Sequence, residues 1–239
     1  MGIFTSGEMV SVGNAGMFYK RDPKTSNVAY ILNPGLSSVM AAAKFGVFTA
    51  SGSPFNASWV STGVKDVGFE LGLKPQPKAF FFVLVPNNPK NLKEGFSTKL
   101  WEASKTEYEA ISTQVNEFGH PLQGMMVVMT KPANRWTIAA QTPPANRAVE
   151  KSVIEEAWNE LLAKGLGFNT PPTEADEKAG KLNSFYELTG VRGSVDLERK
   201  FLVERSQGKA ADWNGVRKLF GLGPVADGGA VENDVEDYE

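Results

Sequence analysis

The most ordered pattern of apolar and polar positions lies between Lys78 and Gln141. Ala79-Phe80-Phe81-Phe82-Val83-Leu84-Val85 is an unbroken apolar run, too continuous for a half-exposed strand and short for a core helix. Its aromatic and β-branched residues, closed by Pro86 and Pro89, predict a buried strand. Beyond it, Leu100, Trp101, Ser104, Tyr108, Ile111 and Val115 recur at three- and four-residue spacings. That spacing predicts a helix over Ser97–Val115, with Ser97 as N-cap and Gly119-His120-Pro121 as its stop. Gly124–Thr130 and Arg135–Gln141 then predict a strand pair turning at Lys131-Pro132-Ala133-Asn134.

The flanking segments are plainer. Val28–Leu32 predicts a strand stopped by Asn33-Pro34-Gly35, Ser37–Lys44 a short helix or irregular segment, and Lys44–Ala50 and Ser58–Thr62 two more strands. Lys74-Pro75-Gln76-Pro77-Lys78 is an extended lead-in, because each proline biases its predecessor away from the helical region. After the Pro143-Pro144 linker the pattern turns helical. Val149, Val153, Ile154, Ala157, Trp158, Leu161 and Leu162 mark one amphipathic helix, with further candidates beginning at Thr173 and over Ser194–Glu204 and Asp212–Phe220. The expected class is mainly β with α: a five-stranded OB-like barrel over residues 1–145, a small helical extension over 146–226 and a disordered acidic tail over 227–239. Strand, helix and paired strands form the second half of such a barrel, a fold that commonly holds single-stranded nucleic acid.

Composition narrows the chemistry more than the fold. The chain has 239 residues, no cysteine and one histidine. Disulfides, thiolate metal sites and Cys-His arrangements are excluded, and His120 sits in a Gly-His-Pro turn that reads as a solvated loop. Gly180-Lys181 and Gly208-Lys209 lack the following Ser or Thr of a phosphate loop, and Gly221-Leu222-Gly223 runs into Pro224 where a dinucleotide fingerprint would open a helix. The expectation is a non-enzyme with no metal and no cofactor. No apolar run reaches the ~18–20 residues of a membrane span, and no secretory signal is read, so the expected location is cytoplasmic. Met1-Gly2 opens a short myristoylation-like pattern that matches by chance in many chains.

The formal net charge of −2 conceals an uneven distribution. Residues 1–147 carry 14 Lys+Arg against 9 Asp+Glu, residues 148–226 carry 11 against 12, and residues 227–239 carry 0 against 6. In the basic portion aromatics and cations are interleaved: Tyr19 beside Lys20 and Arg21, Trp136 beside Arg135 and near Lys131, with Lys44 and Trp59 between. Single strands are held by this combination, bases stacking on rings at about 1–3 kcal/mol each while cations neutralise phosphates. Core packing is the plainer reading for Phe80, Phe81, Phe82 and Trp101. The candidate phosphate contacts are Lys20, Arg21, Lys44, Lys131 and Arg135, and the candidate stacking rings are Tyr19, Trp59 and Trp136. In the tail, Glu232, Asp234, Glu236, Asp237, Tyr238 and Glu239 read as a solubility tail, a polyanion mimic for the basic groove, or a docking segment for partner proteins.

In the order of these motifs the chain resembles the single-stranded DNA-binding proteins of tailed phages. The resemblance runs from Leu71-Gly72-Leu73-Lys74-Pro75-Gln76-Pro77-Lys78 into the Phe80–Val85 strand. It continues through Glu94-Gly95-Phe96, Leu100-Trp101, Gly124–Thr130 and Asn134-Arg135-Trp136-Thr137 to the acidic end, covering about residues 70–141 plus the tail. It implies an OB fold, coating of single-stranded DNA with self-association along the strand, no catalysis, no membrane, and replication or recombination proteins docked by the tail in the host cytoplasm. Some branches carry a Cys/His zinc site, which this chain cannot form. Two other readings stand beside it: a virion structural or assembly protein with a β-barrel core, and an adaptor whose barrel binds protein.

Overall fold

A computed structural model describes residues 17–61, 67–133, 135–164, 166, 191–192 and 195–224. The acidic tail residues Glu232, Asp234, Glu236, Asp237, Tyr238 and Glu239, and the helix expected from Thr173, lie outside the described residues. Seven strands pair antiparallel: β1 (Asn27–Ile31), β2 (Met40–Val47), β3 (Ala57–Ser61), β4 (Gln76–Pro86), β5 (Phe96–Ser104), β6 (Met126–Thr130) and β7 (Thr137–Gln141). A two-residue β8 (Val191–Arg192) pairs parallel with β3. The helices are α1 (Val67–Glu70), α2 (Lys105–Asn116), α3 (Lys151–Ala163), α4 (Val195–Arg205) and α5 (Trp213–Leu219). No helix among the described residues is long and apolar enough to cross a membrane.

The apolar run is the long β4, and it is the strand that the others share. One edge pairs with β5 from Lys78↔Ser104 to Pro86↔Phe96. The other edge is divided: β2 takes its first part, through Met40↔Phe80, and β1 its later part, at Ile31↔Val83 and Tyr30↔Leu84. Between the two, Asn33 fills the gap in the ladder. Its side-chain oxygen accepts from the Phe82 N–H at 2.8 Å, its amide donates to the Ser38 carbonyl at 2.7 Å, and the Leu32 N–H donates to the Phe82 carbonyl at 2.8 Å. Asn33 is fully buried, so its amide satisfies a backbone donor that would otherwise be left inside without a partner.

Both faces of this sheet are covered, which explains why β1 and β4 lack the alternation of a half-exposed strand. Tyr30, Phe80, Phe82, Leu84, Leu100 and Met126 pack on one face under Ile154 and Leu161 of α3. Ile31, Phe81, Val83, Trp101 and Val127 pack on the other under Ile111 of α2. A third cluster joins Phe45, Val47, Ala57 and Trp59 of β2–β3 to Val67 of α1, Leu202 of α4 and Val216 of α5. The later helices therefore complete cores that the strands begin. Glu198 of α4 accepts from the Val67 N–H at 3.1 Å, and Arg199 pairs with Glu70 at 2.9 Å.

Two expectations need correction. The sheet is not closed into a barrel: its strand order runs β7-β6-β1-β4-β2-β3-β8 with β5 on the other side of β4, and no pairing among the described residues joins its ends. The helix expected over Ser97–Val115 is two elements, since Phe96–Ser104 is β5 and only Lys105–Asn116 is helical. The cap is Ser104, whose hydroxyl accepts from the Glu107 N–H while the Glu107 carboxylate accepts from the Ser104 N–H at 2.7 Å. Leu100 and Trp101 are both buried because successive strand residues face opposite, covered sides. Their adjacency mimics a helical face, and pairing with β4 decides the matter.

Asn33→Ala is expected to lower stability by about 2–3 kcal/mol through the orphaned Phe82 N–H, measured as a drop in urea midpoint without a change in slope. Gly68→Ala is expected to destabilise by about 1–3 kcal/mol, because a Cβ there would lie 2.2 Å from the Phe45 ring, which is itself stacked on Trp59 at 5.4 Å. A Gly68→Ala midpoint equal to wild type would show that the Phe45–Trp59 stack can shift freely.

Candidate nucleic-acid interface

Residues 131–136 join β6 to β7, and they carry Lys131, Arg135 and Trp136. Ala133 on this connection lies in the left-handed region, at φ 56°. Trp136 is half-buried against the core cluster beneath α2. The Arg21 guanidinium carbon lies 4.4 Å from the indole centroid and the Lys131 ammonium 6.0 Å. Such cation–ring contacts contribute about 0.5–2 kcal/mol, more as water is excluded. Arg21 also forms an ion pair with Glu107, the residue that closes the α2 capping box. The turn that returns Arg21 to this place is closed by Asn27, whose side chain accepts from the Asp22 N–H at 2.7 Å and donates to the Asp22 carbonyl at 2.8 Å. One carboxylate thus ties the start of α2 to a guanidinium that covers an indole.

Tyr19 packs against the same core cluster, and its N–H donates to the Leu100 carbonyl at 2.8 Å. Burial pushes its phenol up to about 12 despite the opposing charge of Arg21, so it stays neutral at ordinary pH. Lys20 and Arg135 are exposed.

A second group of charges lies across β2, β4 and β5. Lys44 and Lys78 converge on Glu102, at 2.8 Å and 3.1 Å. Burial would raise the Glu102 carboxyl, but hydrogen bonds and charge from Lys44, then Lys78, more than offset it and hold it below the usual carboxylate value. Lys44 is therefore engaged within the protein. Glu102 and Glu107 both belong to the short stretch where β5 passes into α2, so the two charge centres flank that junction.

The structure brings together Arg21, Lys131 and Trp136, with Tyr19 on the same cluster, and sets Lys44 apart. Trp59 is corrected: it is 3 % exposed, stacked on Phe45 in the third core, and offers no face to a base. It packs in one cluster with Leu202 of α4 and Val216 of α5. Lys78, Glu102 and Glu107 were missed. Ser104-Lys105-Thr106-Glu107 is a legible capping-box signature, but the Lys78–Glu102 pairing depends on strand register. Comparison with known proteins finds no matching family model, no matching curated protein and no matching solved structure.

Because the folded Glu102 pKa lies below its ordinary value of 4.5, its stabilising contribution is full above that value and is lost as pH falls through the lower folded one. Urea unfolding of wild type and Glu102→Gln is expected to show a stability gap at neutral pH that closes below about pH 4. A gap constant across that range would mean that the ion pairs contribute nothing net.

Proposed function

We propose that this protein binds single-stranded DNA without sequence preference, as a non-enzymatic protein of replication or recombination in the cytoplasm. The observation that carries the reading is the half-buried indole of Trp136 at a hairpin end, with the Arg21 guanidinium and the Lys131 ammonium both close to its ring. An aromatic ring with cations beside it suits a stacked base and its phosphate together, and it does not discriminate among bases. Tyr19 backs the site from the core side, while exposed Lys20 and Arg135 extend the positive surface to neighbouring phosphates. The acidic segment with Glu232, Asp234, Glu236, Asp237, Tyr238 and Glu239 competes for those cations or recruits partner proteins while they are occupied. Copies of the chain associate along a coated strand.

Tryptophan fluorescence during titration with oligo-dT, for the full chain and for a chain ending at Ala226, tests this directly. The expected result is quenching with tighter binding in the shortened chain, and a slope of log K against log salt of about −0.7 per phosphate neutralised. Trp136→Ala is expected to weaken binding by about 1–3 kcal/mol and to remove most of the quenching. Silence from both chains at low salt would overturn the reading and favour an assembly role.

A further inference from the structure

The strands β3, β5 and β7 bound the sheet, and the first two are covered by short pieces of the chain itself. β3 carries β8 on its outer side. β5 carries residues 17–19, through Leu100 N–H to the Met17 carbonyl and Tyr19 N–H to the Leu100 carbonyl, both at 2.8 Å. β7 has no such cover among the described residues and pairs with β6 alone. The ladder fixes its outward groups. Ile31 donates to the Met125 carbonyl at 2.9 Å and Leu32 to the Phe82 carbonyl at 2.8 Å, so Ile31 and Ala29 bond towards β6. By alternation Val127 faces β1, Val128 faces Ala139 of β7, and Ile138 and Ala140 turn their N–H and C=O outwards. No hydrogen bond among the described residues uses those groups. Thr137-Ile138-Ala139-Ala140-Gln141 also lacks the charge or proline that commonly blunts an open edge.

We propose that β7 is a self-association edge, on which a second copy of this chain pairs antiparallel about a two-fold axis at Ala139. That register uses every outward group within the strand, since Ile138 of each copy exchanges N–H···O bonds with Ala140 of the other. It sets Ala139 opposite itself and Thr137 opposite Gln141, so no like charges meet. The two ends of the strand are complementary as well. Lys131, exposed Arg135 and Trp136 stand where β7 begins, and Thr142 follows its last residue. His120 lies against Thr142, Nδ1 to Oγ1 at 3.1 Å, and its ring is 6.4 Å from that of Phe118, which is 62 % exposed. Glu117, exposed and next to Phe118 in the chain, gives this end a carboxylate. The axis sets Thr142 of one copy opposite Trp136 of the other, so the turn with Phe118 and His120 approaches the indole and its cations twice in the pair. A second copy satisfies these features together, whereas an unrelated extended peptide would satisfy only the backbone groups. The pairing needs no nucleic acid, and it places two Trp136 sites on one face of a continuous sheet.

Sedimentation equilibrium of the full chain without DNA tests the proposal. Wild type is expected to pass from monomer to dimer between about 1 and 100 µM, the range of a small interface. Ala139→Glu and Ala139→Lys, at an exposed position, are each expected to weaken dimerisation at least about ten-fold, because like charges then stand directly opposite. Mixed one to one, the two variants are expected to recover a dimer. The chain has no cysteine, so single cysteines read the register directly. Ala139→Cys is expected to form a disulfide-linked dimer on mild oxidation, while Thr137→Cys, roughly 14 Å from its copy along the strand, is not. Monomer at every concentration, a dimer indifferent to Ala139→Glu, or a mixture that stays monomeric overturns the proposal. Thr137→Cys linking as readily as Ala139→Cys overturns it too, and a mass growing past the dimer would replace the closed pair with head-to-tail contacts.

Discussion

The divided edge of β4 is the constraint on which the remaining architecture depends. One strand supplies ladder partners to β5 along its length and to β2 and β1 in succession along its opposite edge. A ladder cannot change partners without leaving a backbone group unpaired, and inside two covered faces such a group would be costly. Asn33 resolves this with a side-chain amide, which mimics a peptide group at the point where β1 has ended and β2 has not begun. The same amide ties down the Ser38 carbonyl and so aims the chain into β2.

From that fork the three cores follow. β1, β4 and β5 carry apolar side chains on both faces, so each face requires its own cover, and α2 and α3 supply them. β2 and β3 extend past the shared part of β4 and need a third cover, which comes from α1 and from the distant α4 and α5. Tyr30 links the sheet to the segment leading into α3, its hydroxyl donating to the Arg147 carbonyl at 2.8 Å. Residues far apart in the chain thus stabilise one another through the sheet between them.

The charged groups on either side of the β5–α2 junction share a property. Arg21 beside Trp136, and Lys44 and Lys78 in the separate group across β2, β4 and β5, are held by carboxylates of the protein itself, Glu107 and Glu102. These pairs are partly buried, and they keep the side chains extended and in place.

Much of the local structure was written in the sequence. The continuous apolar run of β4, the hairpin of β6 and β7, the amphipathic α3 and the core positions of Phe80, Phe81, Phe82 and Trp101 follow from period, turn residues and side-chain type. Arg21, Lys131 and Trp136 were legible as candidates, but their meeting was not, since it depends on the turn closed by Asn27. What failed, failed for physical reasons. Ser97–Ser104 satisfies helical spacing and strand burial alike when both faces are covered, and pairing with β4 chose the strand. Trp59 looked like a surface ring because its covering helices lie more than a hundred residues away. Closure of the sheet, the Glu102 bridge and the fork at Asn33 are properties of register, which a single chain encodes only through the sum of its long-range contacts. The sequence by itself determined which segments extend, coil and bury; tertiary structure alone decided which of them share an edge, because that choice is made by backbone groups common to every residue.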